Sequence, residues 1–444
     1  MTTADDLKFR FDWEPAPGVR APELRATWAR LEIWVGDACL TLVEEPDGQS
    51  VRRSVYVPLY PMAEWVVYNW WFLKAHSRPA SLIGEFGRLD SVNAPPPALR
   101  KILEHHSLRA IGEGFVWPNL TIVPEGTHTR LFWYSDGAAT RERPLKYLRN
   151  GSAWIDSAAL EHSLDRFVDA VVTRLVEQRV TPTPLEKEWI ALADTNREEA
   201  EFCLAAARLG LDPYSEALDK QENIVRAAEV LAPNLIDDFF DAVNPQRLDT
   251  GIDWVIESSS HIAERSEGVA GGSHLRFAVG DASNGDRSRP WDIGYSQARR
   301  IREAYGRRVD EGFEFDSMMS LFTIPSNDVG LQALGGGSDR SHVLVLGRPM
   351  TSPNQRFAQA RALWHFVFGV PSQSFLLTPA HTDRQRVERA FAAELLAPAE
   401  GIRERLQSDE VEFTFEDVEA IARDFGVSPM VIRHQIENQI FTNS

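Results

Sequence analysis

The sequence predicts an α+β protein of several domains. A β-rich N-terminal domain is expected over 1–154, an all-α middle region over 155–265, a loop or boundary at 266–288, and an α+β C-terminal domain over 289–444 with a helical tail from about 414. Three observations lead there. The chain has 444 residues, long enough for two or three separate cores. Nine of its 13 tryptophans fall in the first 154 residues, among β-branched and aromatic runs bounded by Gly, Pro, Asp and Asn. From Asp156 onward the apolar spacing takes a helical period.

Taken in order, Arg30–Val43 reads as two short strands around Gly36-Asp37, and Val51–Leu59 as a third. Pro61–His76 reads as one helix, because Trp65, Tyr68 and Phe72 share a face. Within it, Trp70 and Trp71 are expected in the core, with an exposed partner-binding surface as the alternative. His105 and His106 point in different directions on a helix and read as surface residues. Asn119–Tyr134 predicts two strands around a turn at Gly126.

Leu160, Leu164, Phe167, Val168, Val171, Val172 and Leu175 line one face of a helix. After a break at Thr181–Pro184, a helix over about Leu185–Leu209 ends at Gly210, a residue suited to a helix C-terminus. Further helices are expected at about Gln221–Leu231, Asn234–Val243 and Trp291–Tyr305. His342–Leu346 is a strand. The preceding Gly335-Gly336-Gly337 reads as a turn, since a phosphate loop needs its glycines after a strand and a lysine nearby. Helices over about Gln355–Phe368 and Thr382–Leu396 follow. Thr414–Phe425 is a capped helix that ends at Gly426, and Ser428-Pro429 starts another over Met430–Gln439.

Composition excludes several classes. At 43% hydrophobic and 25% charged residues the chain is not disordered throughout. A net charge of −18 argues against a protein that coats nucleic acid, whose phosphates need a clustered positive field. Cys39 and Cys203 cannot form a disulfide framework or a cysteine-based zinc site. The opening MTTADDLKFR has no basic and apolar regions of a signal peptide, and Pro61–Leu73 is too short and polar to span a bilayer. A soluble cytoplasmic protein is expected.

The stretch Pro353–Pro398 carries the chemistry. Arg356-Phe357 and Ala360, followed by Phe391-Ala392-Ala393-Glu394-Leu395-Leu396 and Pro398, resemble the two motif segments of the ImmA/IrrE-like metallopeptidases. The resemblance covers about Trp291 to Asn438 and implies a zincin-like α+β domain. In that family an HExxH helix supplies two zinc-binding histidines and a general base, and a second helix supplies a third ligand. The equivalent here reads Arg361-Ala362-Leu363-Trp364-His365, so only His365 matches a ligand. Arg361 is a permanent cation that cannot bind metal, and Ala362 cannot act as a base. The third ligand falls near Val387, with Glu388 adjacent. At most two of three ligands are kept, so no catalytic residue, metal or cofactor is expected. His365, His381, Glu388 and Glu394 are the candidates for a groove or a residual metal site, with Glu394 expected to face solvent or pair with an arginine.

The resemblance therefore implies a pseudo-peptidase that acts by binding a protein partner, as a regulator, sensor or scaffold in a bacterial stress, mobile-element or phage-defence circuit. Two alternatives stay open. One is an active zinc endopeptidase with a rearranged site, the single case that would require zinc. The other is a transcription regulator whose helix-turn-helix-like tail contacts DNA through Arg433 and His434; tail packing is favoured over DNA contact. No membrane partner is expected.

Overall fold

Alternating apolar side chains on Leu7–Trp13 and Trp28–Val35 place two antiparallel strands, β1 and β2, over the first core, in a register running from Leu7 opposite Val35 to Trp13 opposite Ala29. The computed structural model describes residues 6–44, 50–78, 97–136, 145–215, 218–267, 290–315, 318–326, 329–338, 341–370, 372–406 and 414–441. These belong to two compact units, 1–216 and 217–444, and the protein is a mixed α+β protein. The helices expected as a separate middle domain are divided between the two units. Apart from its first two residues, the expected boundary at 266–288 lies outside the described residues.

In the first unit, β3 (Ala38–Cys39) follows β2 through a turn at Gly36, and β6 (Val55–Pro58) pairs with the other end of the same β2 edge, opposite β1. The short strands β4 (Val43–Glu44) and β5 (Val51–Arg52) pair in a separate small sheet. The run expected as one strand over Val51–Leu59 is thus two, in different sheets.

The helix expected over Pro61–His76 is also two, α1 (Tyr60–Tyr68) and α2 (Trp70–Ala75). Asn69 breaks it: its side-chain amide donates to the Trp65 carbonyl at 2.8 Å, competing with the helical backbone. Trp70 and Trp71 are each only 8% exposed, and Trp70 meets Trp189 edge to face. Both tryptophans are core, which removes the partner-surface alternative: their indoles are already covered.

On α3 (Pro97–His106), His105 stacks on Phe72 and bonds Asn69, whereas His106 is fully buried. The surface reading fails for this pair because β7 (Asn119–Glu125) offers His106 a partner: its Nδ1–H donates to the Ile122 carbonyl at 2.7 Å. That leaves His106 Nε2 to accept from His76 Nδ1–H at 2.8 Å. Burial lowers His106 to about 3 and holds His76 well below the usual histidine range.

Strand β7 turns at Gly126 into β8 (His128–Tyr134), as expected, and β10 (Gly151–Asp156) adds to β8, while β9 (Lys146–Tyr147) joins β4. Helix α4 (Ser157–Glu177), N-capped by Asp156, packs the expected apolar face into the core. The single helix expected over Leu185–Leu209 is α5 (Pro184–Asp194) and α6 (Arg197–Arg208), because the Asn196 side chain accepts from Glu199 N–H and starts a new helix.

The second unit begins with α7 (Leu218–Val230), α8 (Pro233–Ala242), α9 (Leu248–Glu267) and α10 (Pro290–Ala304). Its sheet contains β11 (Ser320–Thr323), β12 (Ala333–Ser338), β13 (Ser341–Leu346) and β14 (Phe375–Leu377) in the order β11-β13-β12-β14; only β11 and β13 are parallel. The glycine run expected as a turn lies inside β12. A Cβ at Gly335 would run into the Phe375 ring, so the bare backbone lets that ring lie across the strand.

Helices α11 (Ser352–Phe368) and α12 (Asp383–Leu396) pack beside this sheet, and α10 crosses α12 closely at Gly294. After α13 (Ala399–Leu406) comes the tail. Thr414 and Asp417 form a capping box for α14 (Phe415–Phe425), which ends at left-handed Gly426. Helix α15 (Pro429–Gln435) continues as a wider turn over Ile436–Ile440. No helix among the described residues is long and apolar enough to cross a membrane.

Candidate functional site

Four residues apart on α11, Arg361 and His365 project from one helix face into the second core, each about 5% exposed. Opposite them on α12 sits Glu388, fully buried. Its Oε1 accepts from Arg361 Nε at 2.8 Å and from the Arg361 terminal nitrogen Nη2, and its Oε2 meets His365 Nε2. Arg361 makes two further bonds: Nη1 donates to Gln332 Oε1 at 2.7 Å and Nη2 to the Thr378 carbonyl at 2.9 Å. The His365 ring lies flat on Phe375, with centroids 4.0 Å apart and planes 6° apart.

Burial alone would raise the Glu388 carboxyl; the Arg361 guanidinium and His365 outweigh it and hold the carboxyl down, to about 2. The carboxylate is therefore ionised, and each nitrogen of the guanidinium donates at least one hydrogen bond, which is what a buried arginine requires. A second layer surrounds it. Arg389 also donates to the Thr378 carbonyl, at 3.0 Å, and Gln385 links the Thr378 hydroxyl to Asp238 of α8. Arg384 pairs with the same aspartate.

The donor set does not fit a zinc ion. Where a first histidine ligand would stand, a guanidinium bonds the carboxylate that would have to turn to the metal, and guanidinium cannot lose a proton to ligate. Ala362, next to Arg361, offers no base. Among the described residues no group of three or more His, Cys, Asp or Glu side chains can hold a metal.

The structure brings together Arg361, His365 and Glu388 from the sequence-derived candidates. The residue facing the site is Glu388, and Val387 turns toward α10, its carbonyl lying against Gly294. His381, partly exposed ahead of α12, does not complete a ligand set with them. Glu394 is not at the surface: it is 1% exposed and turned to the tail. It accepts from Arg299 Nε at 2.8 Å, Gln435 Nε2 at 2.9 Å, Gln439 Nε2 at 2.8 Å and the Ala399 amide at 3.2 Å. Arg433 and His434 are exposed on α15, and the Arg433 guanidinium rests over the Phe415 ring, 5.1 Å from its centroid.

Gln332, Phe375, Thr378 and Gln385 were not anticipated. Three belong to segments with no motif. The available signal was pairing logic: a permanent cation at a buried helix position demands a carboxylate, and Glu388 is the first acid preceding the Phe391-Ala392-Ala393 run. No protein-family model matches the chain, and no curated protein sequence matches it.

Proposed function

We propose that the second unit is an ImmA/IrrE-like pseudo-peptidase domain with a zincin-like arrangement of sheet and paired helices, and that the protein acts by binding a protein partner as a regulator, sensor or scaffold. A bacterial stress, mobile-element or phage-defence circuit is the setting the resemblance implies. One observation carries the reading: Arg361 is bonded through its guanidinium to Glu388 in the position where a peptidase would need a metal. The hydrolytic alternative would need a free carboxylate, a second histidine and a base, and the residues beside His365 supply none of these. Packing of α15 through Glu394, and of the apolar face of α14 in the second core, supports a structural role for the tail rather than DNA reading.

Metal analysis of the purified protein tests this. The expected result is far less than one zinc per chain, with co-purification of the product of an adjacent gene. Stoichiometric zinc that is lost in His365→Ala would sink the reading.

A further inference from the structure

We infer that the first unit pairs with a second copy of this chain through the open edge of β1, the two β1 strands running antiparallel in one continuous sheet. The inference rests on the first unit alone and is independent of the proposed function. Strand β1 pairs with β2 on one side, and among the described residues no strand pairs with its other side. The Glu14 N–H donates to the Trp28 carbonyl at 2.9 Å, and the Gly36 N–H to the Asp6 carbonyl at 3.3 Å. In that register the even-numbered residues of β1 exchange hydrogen bonds with β2. The odd-numbered Phe9, Phe11 and Trp13 therefore turn N–H and C=O toward the open edge. All three are half-buried: Phe9 and Phe11 meet Phe167 of α4, and the Arg174 guanidinium lies over Trp13.

Charge selects both the occupant and the register. Lys8, Arg10 and Asp12 are exposed on the face opposite the aromatic rings, and Glu14 follows in the same alternation. Centred on Phe11, a two-fold antiparallel pair sets Lys8 against Glu14 of the second copy and Arg10 against Asp12 of the second copy, each twice. These are the positions without backbone bonds, where opposing side chains come closest. On the other face Phe9 meets Trp13 and Phe11 meets Phe11, and these positions carry the backbone bonds. The neighbouring registers oppose like charges: centring on Phe9 sets Lys8 against Arg10, and centring on Arg10 or Asp12 sets that residue against itself. Asp12 is bonded to Arg30 at 2.6 Å, and Arg10 lies opposite Glu32 on β2. The pairing therefore extends one row of alternating charge: Arg30, Asp12, then Arg10 and Glu32 of the second copy. Such self-complementarity is what a closed two-fold interface requires. Pro15 has no N–H and ends the ladder.

Sedimentation velocity of the full-length protein over a micromolar dilution series reads the assembly. Wild type should sediment as a dimer that dissociates on dilution. Lys8→Glu and Glu14→Lys, neither in the core, each set like charges opposite one another twice and should weaken the dimer about tenfold. The double variant Lys8→Glu/Glu14→Lys restores opposite charges and should recover wild-type affinity. Wild type that stays monomeric overturns the inference. So does a dimer that neither single change weakens, or a double variant as weak as the singles. Hydrogen exchange of wild type needs no variant: the Phe9, Phe11 and Trp13 amides should slow as the dimer fills, and unchanged exchange in a populated dimer also overturns it.

Discussion

Arg361 and Glu388 form a buried ion pair between α11 and α12, with Nε donating to Oε1 at 2.8 Å and neither side chain more than 4% exposed. Removing one partner leaves the other charged and desolvated. Arg361→Met or Glu388→Gln should each destabilise the second unit by about 3–5 kcal/mol. The double variant Arg361→Met/Glu388→Gln should lose less than the sum, because no ion is stranded. Urea denaturation of the four proteins measures this, and simple additivity would contradict the pairing.

Acid should weaken the second unit through the same pair. Unfolded, Glu388 titrates at the ordinary value of about 4.3. Folded, it is held down to about 2. Because the folded value is the lower one, its stabilisation is complete above about pH 5 and is lost as pH falls toward 2. The loss is on the order of 3 kcal/mol. Denaturation midpoints between pH 6 and 3 should fall more steeply in wild type than in Glu388→Gln.

The first unit should respond to acid earlier. His106 is lowered to about 3 and His76 also lies well below its usual range, against about 6.5 for an unfolded histidine. With the folded values depressed, stability is full above about pH 6.5 and declines below it, by about 1.4 kcal/mol per pH unit for each histidine. Tryptophan fluorescence during urea unfolding at pH 7, 6 and 5 follows this unit, where most tryptophans lie. An unchanged midpoint across that range would be the contrary result.

Gly335→Ala should disturb the site from a distance. The added Cβ meets the Phe375 ring, which must move, and Phe375 carries the His365 stack. Overpacking of this kind costs about 1–3 kcal/mol. The expected signature is a lower melting temperature together with a shifted His365 ring resonance. Gly18→Ala, with open space around its Cβ, serves as the control.

Glu394→Ala should release the tail. Four donors lose their acceptor, two of them from Gln435 and Gln439. Hydrogen exchange should accelerate across α15 and the turn after it, leaving β12 and β13 unchanged. Arg433→Ala, an exposed change, should alter stability by no more than about 0.5 kcal/mol.

Much of this architecture can be read from local pattern. The apolar face of α4, the turn at Gly126, the α14 capping box and the Gly426 stop all depend on neighbouring residues, and all lie where their spacing places them. The breaks at Asn69 and Asn196 were hidden because each asparagine competes with a helix that periodicity alone continues. Gly335 was misread because its reason, the Phe375 ring, lies far along the chain. His106 was misread for the same cause, since its partner is a strand carbonyl. The Arg361–Glu388 pair was visible only as an arginine that could not ligate and an acid one position from where it was sought. Which carboxylate an arginine finds is decided by packing between helices, which sequence spacing does not report.

Helix α12 carries Glu388 toward α11 and Glu394 toward the tail, six positions apart and on different sides of the same rod. Its rotation and its axial position are therefore pinned independently. A slide of one turn or a roll of one position would break both anchorages at once.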